Sequence, residues 1–456
     1  IATALRAAPP RPRDRVAIAG PGCLQFPLTP GWLHDVLIDV VEAGDRFGAG
    51  DELAGQRVNL EFVSANPTGP LHAGGARWVA VGDAIANLLA TRGAQALQYG
   101  SGQGDPALRE QICEVMALEG VEGSPDDVVV TVGSQHALDL VTRIFCDPGD
   151  VVLAEAPSYV GALGTFAAYQ AEVVHVAMDA DGLVPEALRE AIAAVKAAGK
   201  TAKFLYTIPN FHNPAGTSLS EARRDEVLAI CASAGLLVLE DNPYGLLGFD
   251  GPPTRAIRAR ASSEQVLYLG SFSKTFAPGL RVGWVLAPHA VREKLVLAAE
   301  ASVLCPPALN QMVVVEYLTT QDWQGQVEVF KGIYRERRDA LLGALESLMP
   351  AGTTWTHPTG GFYVWTTLPE GLDAKVMQPR AITARIAYVP GIGFYADGQG
   401  SRDLRLSYCF PEPERIIEGV RRLAGVVESE LDLLATFGPS LTERVSGHAT
   451  PAPNTA

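Results

Sequence analysis

From about residue 124 onward, short β-branched apolar runs alternate with stretches of helical periodicity. The runs are VVVTVG (128–133), VVLAEAP (151–157), KFLYTIP (203–209), LLVLED (236–241) and VLYLGSFS (266–273). Between them lie QHALDLVTRIF and EARRDEVLAICASAG, which read as helices. This alternation predicts repeated βαβ units, hence an α/β fold whose large domain has a mainly parallel central sheet covered by helices. Ligands of such sheets bind beyond the carboxyl ends of the strands. Nearly every polar cluster in the chain follows directly on one of these runs, so that edge is where chemistry is expected. Past Asp322 the texture changes to longer charged helices (VEVFKGIYRERRDALLGALESL) and short strands such as FYVWTTL and LRLSYCF. The simplest division is a large domain over 94–322 and a smaller α+β C-terminal domain over 323–437. The Ser-, Thr-, Pro- and Ala-rich tail 438–456 carries no periodic apolar pattern and is expected to be disordered.

Composition narrows the function class. The chain has 456 residues, 47% of them hydrophobic and 19% charged, with a formal net charge of -15. That acidity, with no basic run to offset it, argues against a nucleic-acid surface. No run of 18 or more apolar residues exists to form a membrane span. The six cysteines are scattered without a C-x-x-C pair, which reads as reduced thiols and a cytoplasmic location. His136, His175, His212, His289 and His357 show no metal-ligand spacing, and no metal is expected. The chain begins at Ile1 rather than methionine, so no reading rests on its N-terminal end.

The richest segment is GSFSKTFAPGLRVGW (270–284), where a strand ends in small hydroxyl residues, a lysine, and an arginine set between glycines. Ser271, Ser273 and Arg281 suit a phosphate, and Lys274 suits an amine nucleophile whose pKa neighbouring positive charge would lower. Gly133, Ser134 and Gln135 open a helix after VVVTV and offer N–H donors to an anion. Asp241 ends an apolar strand with Tyr244 three residues on, and Asn213 sits in the turn FHNPAG. Each of these alone reads equally well as a turn or a cap.

In order, the segments ALQYGSGQG, GSQHALDL, APSYVGAL, PNFHNPAG, EDNPYG, SFSKTFAPGLRVGW and LRLSYCF make the chain resemble the fold-type I pyridoxal-phosphate aminotransferases of classes I and II over about 94–430. The likeness is greatest to the kynurenine/2-aminoadipate subgroup and to the aminotransferase-like half of MocR regulators. The resemblance implies that Lys274 binds the cofactor covalently and then carries the proton at the substrate Cα. It implies that Asp241 pairs with the pyridine nitrogen, that Tyr244 and Asn213 hydrogen-bond the ring's O3′, and that Tyr159 stacks on the ring. Gly133, Ser134, Gln135, Ser271, Ser273 and Arg281 would form the phosphate site, with Tyr99 reaching the phosphate of a neighbouring subunit in a homodimer. Arg405 would grip the substrate α-carboxylate, with Asn213 beside it; its competing reading is a surface arginine paired with Asp403.

Residues from about 16 to 93 resemble a different family, the bacterial arginyl-tRNA synthetases. Where that family has His-x-Gly-His, this chain reads His72-Ala73-Gly74-Gly75, and it has no Lys-Met-Ser-Lys loop. Adenylation is therefore not expected. The segment reads either as a captured fragment replacing the aminotransferase arm or as a retained tRNA- or partner-binding module. The expected function is amino transfer between an L-α-amino acid and a 2-oxo acid by a ping-pong cycle, within amino-acid metabolism and biosynthesis. The alternatives are elimination, decarboxylation or oxidation in the same site, or a non-catalytic MocR-like sensor.

Overall fold

A computed structural model describes residues 17–20, 23–25, 96, 98–261 and 264–438. Residues 1–62 and 63–456 form separate compact units. Of the first, the described part is an antiparallel pair, β1 (Ala17–Gly20) with β2 (Cys23–Gln25). The rest of the synthetase-like stretch, including His72 to Gly75, lies outside the described residues, as does the tail after Gly438.

In the second unit the apolar runs form the predicted strands. These are β3 (Val128–Thr131), β4 (Val151–Ala156), β7 (Ala202–Thr207), β8 (Leu237–Asp241) and β9 (Val266–Ser271). Three further strands join them: the eight-residue β5 (Glu172–Asp179), its short partner β6 (Gly182–Leu183), and β10 (Gly283–Leu286). The sheet order is β3-β10-β9-β8-β7-β4-β5-β6. Strands β9, β8, β7, β4 and β5 run parallel, and β10 runs antiparallel to both of its neighbours.

The inner parallel strands are mostly apolar because both of their faces are covered, and polar side chains in them such as Glu155 and Asp241 lie at or next to their carboxyl ends. Successive side chains point to opposite faces, which divides the residues of one run between two cores. Val129, Phe204, Tyr206, Leu239, Leu267 and Leu269 enter one core, with Leu138 and Val141 from α2 (Ser134–Phe145) and Phe166 from α3 (Val160–Ala168). Leu205, Val238 and Val266 face the other way, against Leu188 of α4 (Pro185–Ala197) and Val227 of α5 (Glu221–Ala234). Val128 and Val130 also face away and pack on Leu108 and Ile112 of α1 (Pro106–Ala117).

The C-terminal part builds a smaller, antiparallel sheet from β11 (Thr354–Trp355), β12 (Tyr363–Thr367), β13 (Val389–Pro390) and β14 (Asp403–Ser407), in the order β11-β12-β14-β13. A 26-residue helix, Trp323–Leu348, and a 25-residue helix, Pro413–Phe437, pack on each other and share the sheet's core. Phe330, Val364, Leu404 and Val427 are buried in the same continuous core as Tyr206 and Leu239, so the small sheet is anchored to the large one. No described helix is long and apolar enough to cross a membrane.

Candidate active site

Register explains how the phosphate-binding candidates meet. Gly283, at the start of β10, pairs with Thr131 at the end of β3 on one side and with Ser271 at the end of β9 on the other. The three loop ends therefore converge on one point. Gly133 holds φ +76 before α2, and a Cβ there would lie 2.3 Å from Arg281 Nη2; only glycine allows that approach. No side chain caps the helix start, so its first N–H groups face the loop junction beside Arg281 and fit an anion. The Ser271 hydroxyl donates to Ser273 Oγ at 2.9 Å and accepts from the Ser273 N–H at 3.1 Å. Arg281 donates to Ser273 Oγ, Val132 O and Pro278 O, each at 3.4 Å. Such long contacts leave most of the guanidinium's donor capacity for a stronger acceptor such as a phosphate.

Asp241 sits at the carboxyl end of β8, on the same sheet face as Leu239 and so beside Tyr206 of β7. The Tyr206 hydroxyl donates to Asp241 Oδ2 at 2.8 Å, while Oδ1 is buried with no hydrogen-bond partner. Burial pushes the Asp241 carboxyl up to about 6, against the opposing effects of the Tyr206 hydrogen bond and the charge of Lys274. A protonated pyridine nitrogen is the donor such an oxygen lacks, so the carboxylate fits pyridoxal phosphate. Lys274 lies in the same cavity of about 330 Å³, with its Nζ 6.0 Å from the centroid of Phe362.

Ser134, Gln135, Tyr159, Asn213, Asp241, Tyr244, Ser271, Ser273, Lys274, Arg281 and Arg405 all line this cavity. Gln135 contributes mainly its place at the helix start, because its side-chain amide donates to Gly161 O and Thr165 Oγ1. Tyr159 precedes α3 with its phenol pushed up in pKa, first by burial and then by the Asp241 charge. Tyr99 is 83% exposed and lines no part of the cavity within this chain.

At the other end, Arg405 of β14 donates from Nη1 to Asn213 Oδ1 at 2.7 Å. Its guanidinium lies 4.1 Å from the centroid of Tyr363 and 5.2 Å from that of Phe394. Its Nε is buried with no hydrogen-bond partner. The competing pairing with Asp403 is not formed. Asp403 instead accepts from Thr367 at 2.6 Å and from Tyr395 at 3.5 Å.

Sequence reasoning passed over the residues that hold these groups in place. Tyr206 was read only as part of KFLYTIP, and Tyr363 only as part of FYVWTTL. Glu155, buried at the end of β4, accepts from Thr207 Oγ1 and the Ile208 N–H, and its Oε2 lies 3.1 Å from His212 Nε2. That cluster fixes the approach to the Asn213 turn. Behind Asp241, Asn242 donates to Glu119 Oε1 at 2.7 Å and Tyr268 donates to Glu119 Oε2 at 2.9 Å, with burial raising Glu119 to about 7. The available signal was a single polar side chain inside an otherwise apolar strand, since such a group needs a partner when both faces are covered. Among the described residues no group of three or more His, Cys, Asp or Glu is placed to hold a metal.

Comparison with known proteins agrees with this geometry. The family model for aminotransferase class I and II matches residues 74–423. That match begins inside the stretch read as synthetase-like, so the aminotransferase likeness starts earlier than residue 94, and nothing in the comparisons supports a synthetase fragment. An aromatic-amino-acid aminotransferase of Thermococcus litoralis is 39% identical over 353 residues, 77% of this chain and 84% of that protein. The crystal structure of Pyrococcus horikoshii kynurenine aminotransferase, in complex with PMP, superposes with a TM-score of 0.75 at 38% identity, covering 77% of this chain and 87% of that one. The α-aminoadipate aminotransferase of Thermus thermophilus, complexed with N-(5'-phosphopyridoxyl)-L-leucine, gives a TM-score of 0.73 at 38% identity, over 78% and 89%. The cofactor of this site is accordingly pyridoxal phosphate, and the chain belongs to the class I and II aminotransferases, a family of pyridoxal-phosphate-dependent transaminases.

Proposed function

We propose that this chain moves the amino group of an L-α-amino acid onto a 2-oxo acid in two half-reactions, with aromatic and long-chain amino acids as its donors. The observation that carries the reading is Asp241, one oxygen held by Tyr206 and the other buried without a partner, in one cavity with Lys274. Bound pyridoxal phosphate supplies an electron-accepting ring that stabilises negative charge at the substrate Cα. The Asp241 carboxylate keeps a proton on the ring nitrogen. Lys274 Nζ would take the proton from the substrate Cα and deliver it to the cofactor's C4′ carbon. Ser271, Ser273, Arg281 and the N–H groups after Gly133 would hold the phosphate, Tyr244 and Asn213 would hydrogen-bond O3′, and Tyr159 would stack on the ring. Arg405 receives the α-carboxylate with two donors in one plane, orienting Cα toward Lys274.

The donor class follows from what surrounds Arg405 and from what the relatives act on. Tyr159, Val160, Ile208 and Tyr363 supply apolar and aromatic surface within an otherwise polar cavity, which would suit such side chains. The exposed Tyr99 supports a homodimer in which this phenol reaches the partner subunit's phosphate. The large domain is assigned to 94–322 and the small one to 323–437. A cytoplasmic role in amino-acid metabolism completes the reading.

Amino donors are to be added singly to the loaded enzyme and followed by absorbance. The expected result is stoichiometric 2-oxo acid, fastest with aromatic donors, and recovery of the starting spectrum on adding 2-oxoglutarate or pyruvate. Release of ammonia or carbon dioxide in place of oxo acid would overturn it.

A further inference from the structure

Tyr363 touches both ends of the site. It is the first residue of β12, opposite Ser407 of β14, while Trp365 is opposite Arg405; Tyr363 and Arg405 are therefore diagonal neighbours across the two strands. Its ring carries the Arg405 guanidinium at 4.1 Å from the centroid. Its ring meets that of Tyr244 edge-on at 86° with 6.2 Å between centroids, which brings the two phenols within reach of one another. The backbone holds it there. Gly216, at φ +70 in the turn that carries Asn213, lies so close that a Cβ would meet Tyr363 O at 2.4 Å. The ionisable groups that interact with the Tyr363 phenol are Arg405, Tyr244, Cys409, Tyr159 and Tyr408.

We propose that Tyr363 is a positioning residue with two separable tasks: its ring seats the carboxylate-binding Arg405, and its hydroxyl backs the hydrogen bond that Tyr244 directs at the cofactor's O3′. This rests on the reading that Arg405 takes the carboxylate and Tyr244 faces O3′. Two phenols share two protons. When Tyr244 donates forward to an anionic oxygen, Tyr363 donates to Tyr244, and each bond polarises the next. Donation to O3′ stabilises its anionic form and lowers the pH at which the lysine-bound cofactor loses its proton. Removing the backing hydroxyl weakens that donation, and the midpoint rises.

The test is a spectrophotometric pH titration of the holoenzyme, with KM for an aromatic donor measured in parallel. Tyr363→Phe keeps the ring and loses the hydroxyl, so the midpoint should rise by about 0.3 pH unit while KM stays within about twofold. Tyr363→Leu loses both tasks, and KM should also rise roughly tenfold. Tyr244→Phe serves as the reference and should raise the midpoint further than Tyr363→Phe does. If Tyr244→Phe moves the midpoint and Tyr363→Phe does not, the backing role is wrong while the reading beneath it stands. Should Tyr363→Leu leave KM unchanged, the seating role is wrong. If Tyr244→Phe itself leaves the midpoint in place, the underlying assignment fails and the proposal fails with it.

Discussion

The two ends of the cavity are built on different principles. At the phosphate and ring end, the groups come from strand termini of a single sheet, and hydrogen-bond register alone brings Thr131, Ser271 and Gly283 together. There the key polar atoms are left with weak partners or none, as with Asp241 Oδ1 and Arg281. At the carboxylate end, Arg405 comes from the small sheet and already has Asn213 beneath it and two aromatic rings against it. One end is set by backbone and completed by its cofactor. The other is set by side-chain packing across two sheets, with the Arg405 Nε left without a hydrogen-bond partner. Losses at the first end should therefore remove chemistry or cofactor, and losses at the second should chiefly raise KM.

The largest effect is expected from Lys274→Ala, which should slow the half-reaction by about 10³-fold or more and abolish the visible absorbance of covalently held cofactor. Arg281→Ala comes next. Loss of charge-assisted hydrogen bonds worth about 1.5–3 kcal/mol should weaken cofactor binding by about 10- to 100-fold in equilibrium dialysis. Near-normal retention of cofactor would place the phosphate elsewhere. Arg405→Lys keeps the charge but not the planar fork, so KM should rise roughly tenfold with kcat changed less. A fall in kcat at constant KM would erase the contrast between the two ends.

The smallest effect concerns pH and the cofactor-free protein. The Asp241 carboxyl is raised from 3.8 to about 6 in the fold, so the folded state holds this proton to higher pH than the unfolded chain. Its contribution to stability is full below the unfolded value and is lost as pH rises through about 6. Acidifying from pH 7 to pH 5 should thus stabilise the cofactor-free protein by about 1 kcal/mol relative to Asp241→Asn, as read by denaturant unfolding. Equal slopes in the two proteins would mean that Asp241 is not the buried acid described.

The same contrast governs what the sequence makes legible. Strands covered on both faces are mostly apolar, so β3, β4, β7, β8 and β9 and the polar residues at and just after their ends stand out. Strand β5 escaped notice because its exposed Glu172 and Asp179 and its part-buried His175 break the apolar run. The four residues of β10 are hidden inside a motif whose glycines and arginine drew the attention. Asp241 stands out because it ends the apolar run of β8, and Lys274 and Arg281 because they lie in the loop between β9 and β10. Tyr206 and Tyr363 do not, because their importance comes from neighbours distant in sequence: Asp241 lies 35 residues from Tyr206, and Arg405 meets Asn213 across 192. Spacing along a chain does not reveal such pairings.

The central claim is that Asp241 acts on the chemistry and not on substrate capture. Its most direct test is the donor-concentration dependence of the single-turnover half-reaction in Asp241→Asn, loaded with pyridoxal phosphate. The account predicts a maximal rate lower by about 10²-fold or more, with half-saturation within about twofold of the parent. A normal maximal rate with a raised half-saturation would contradict it.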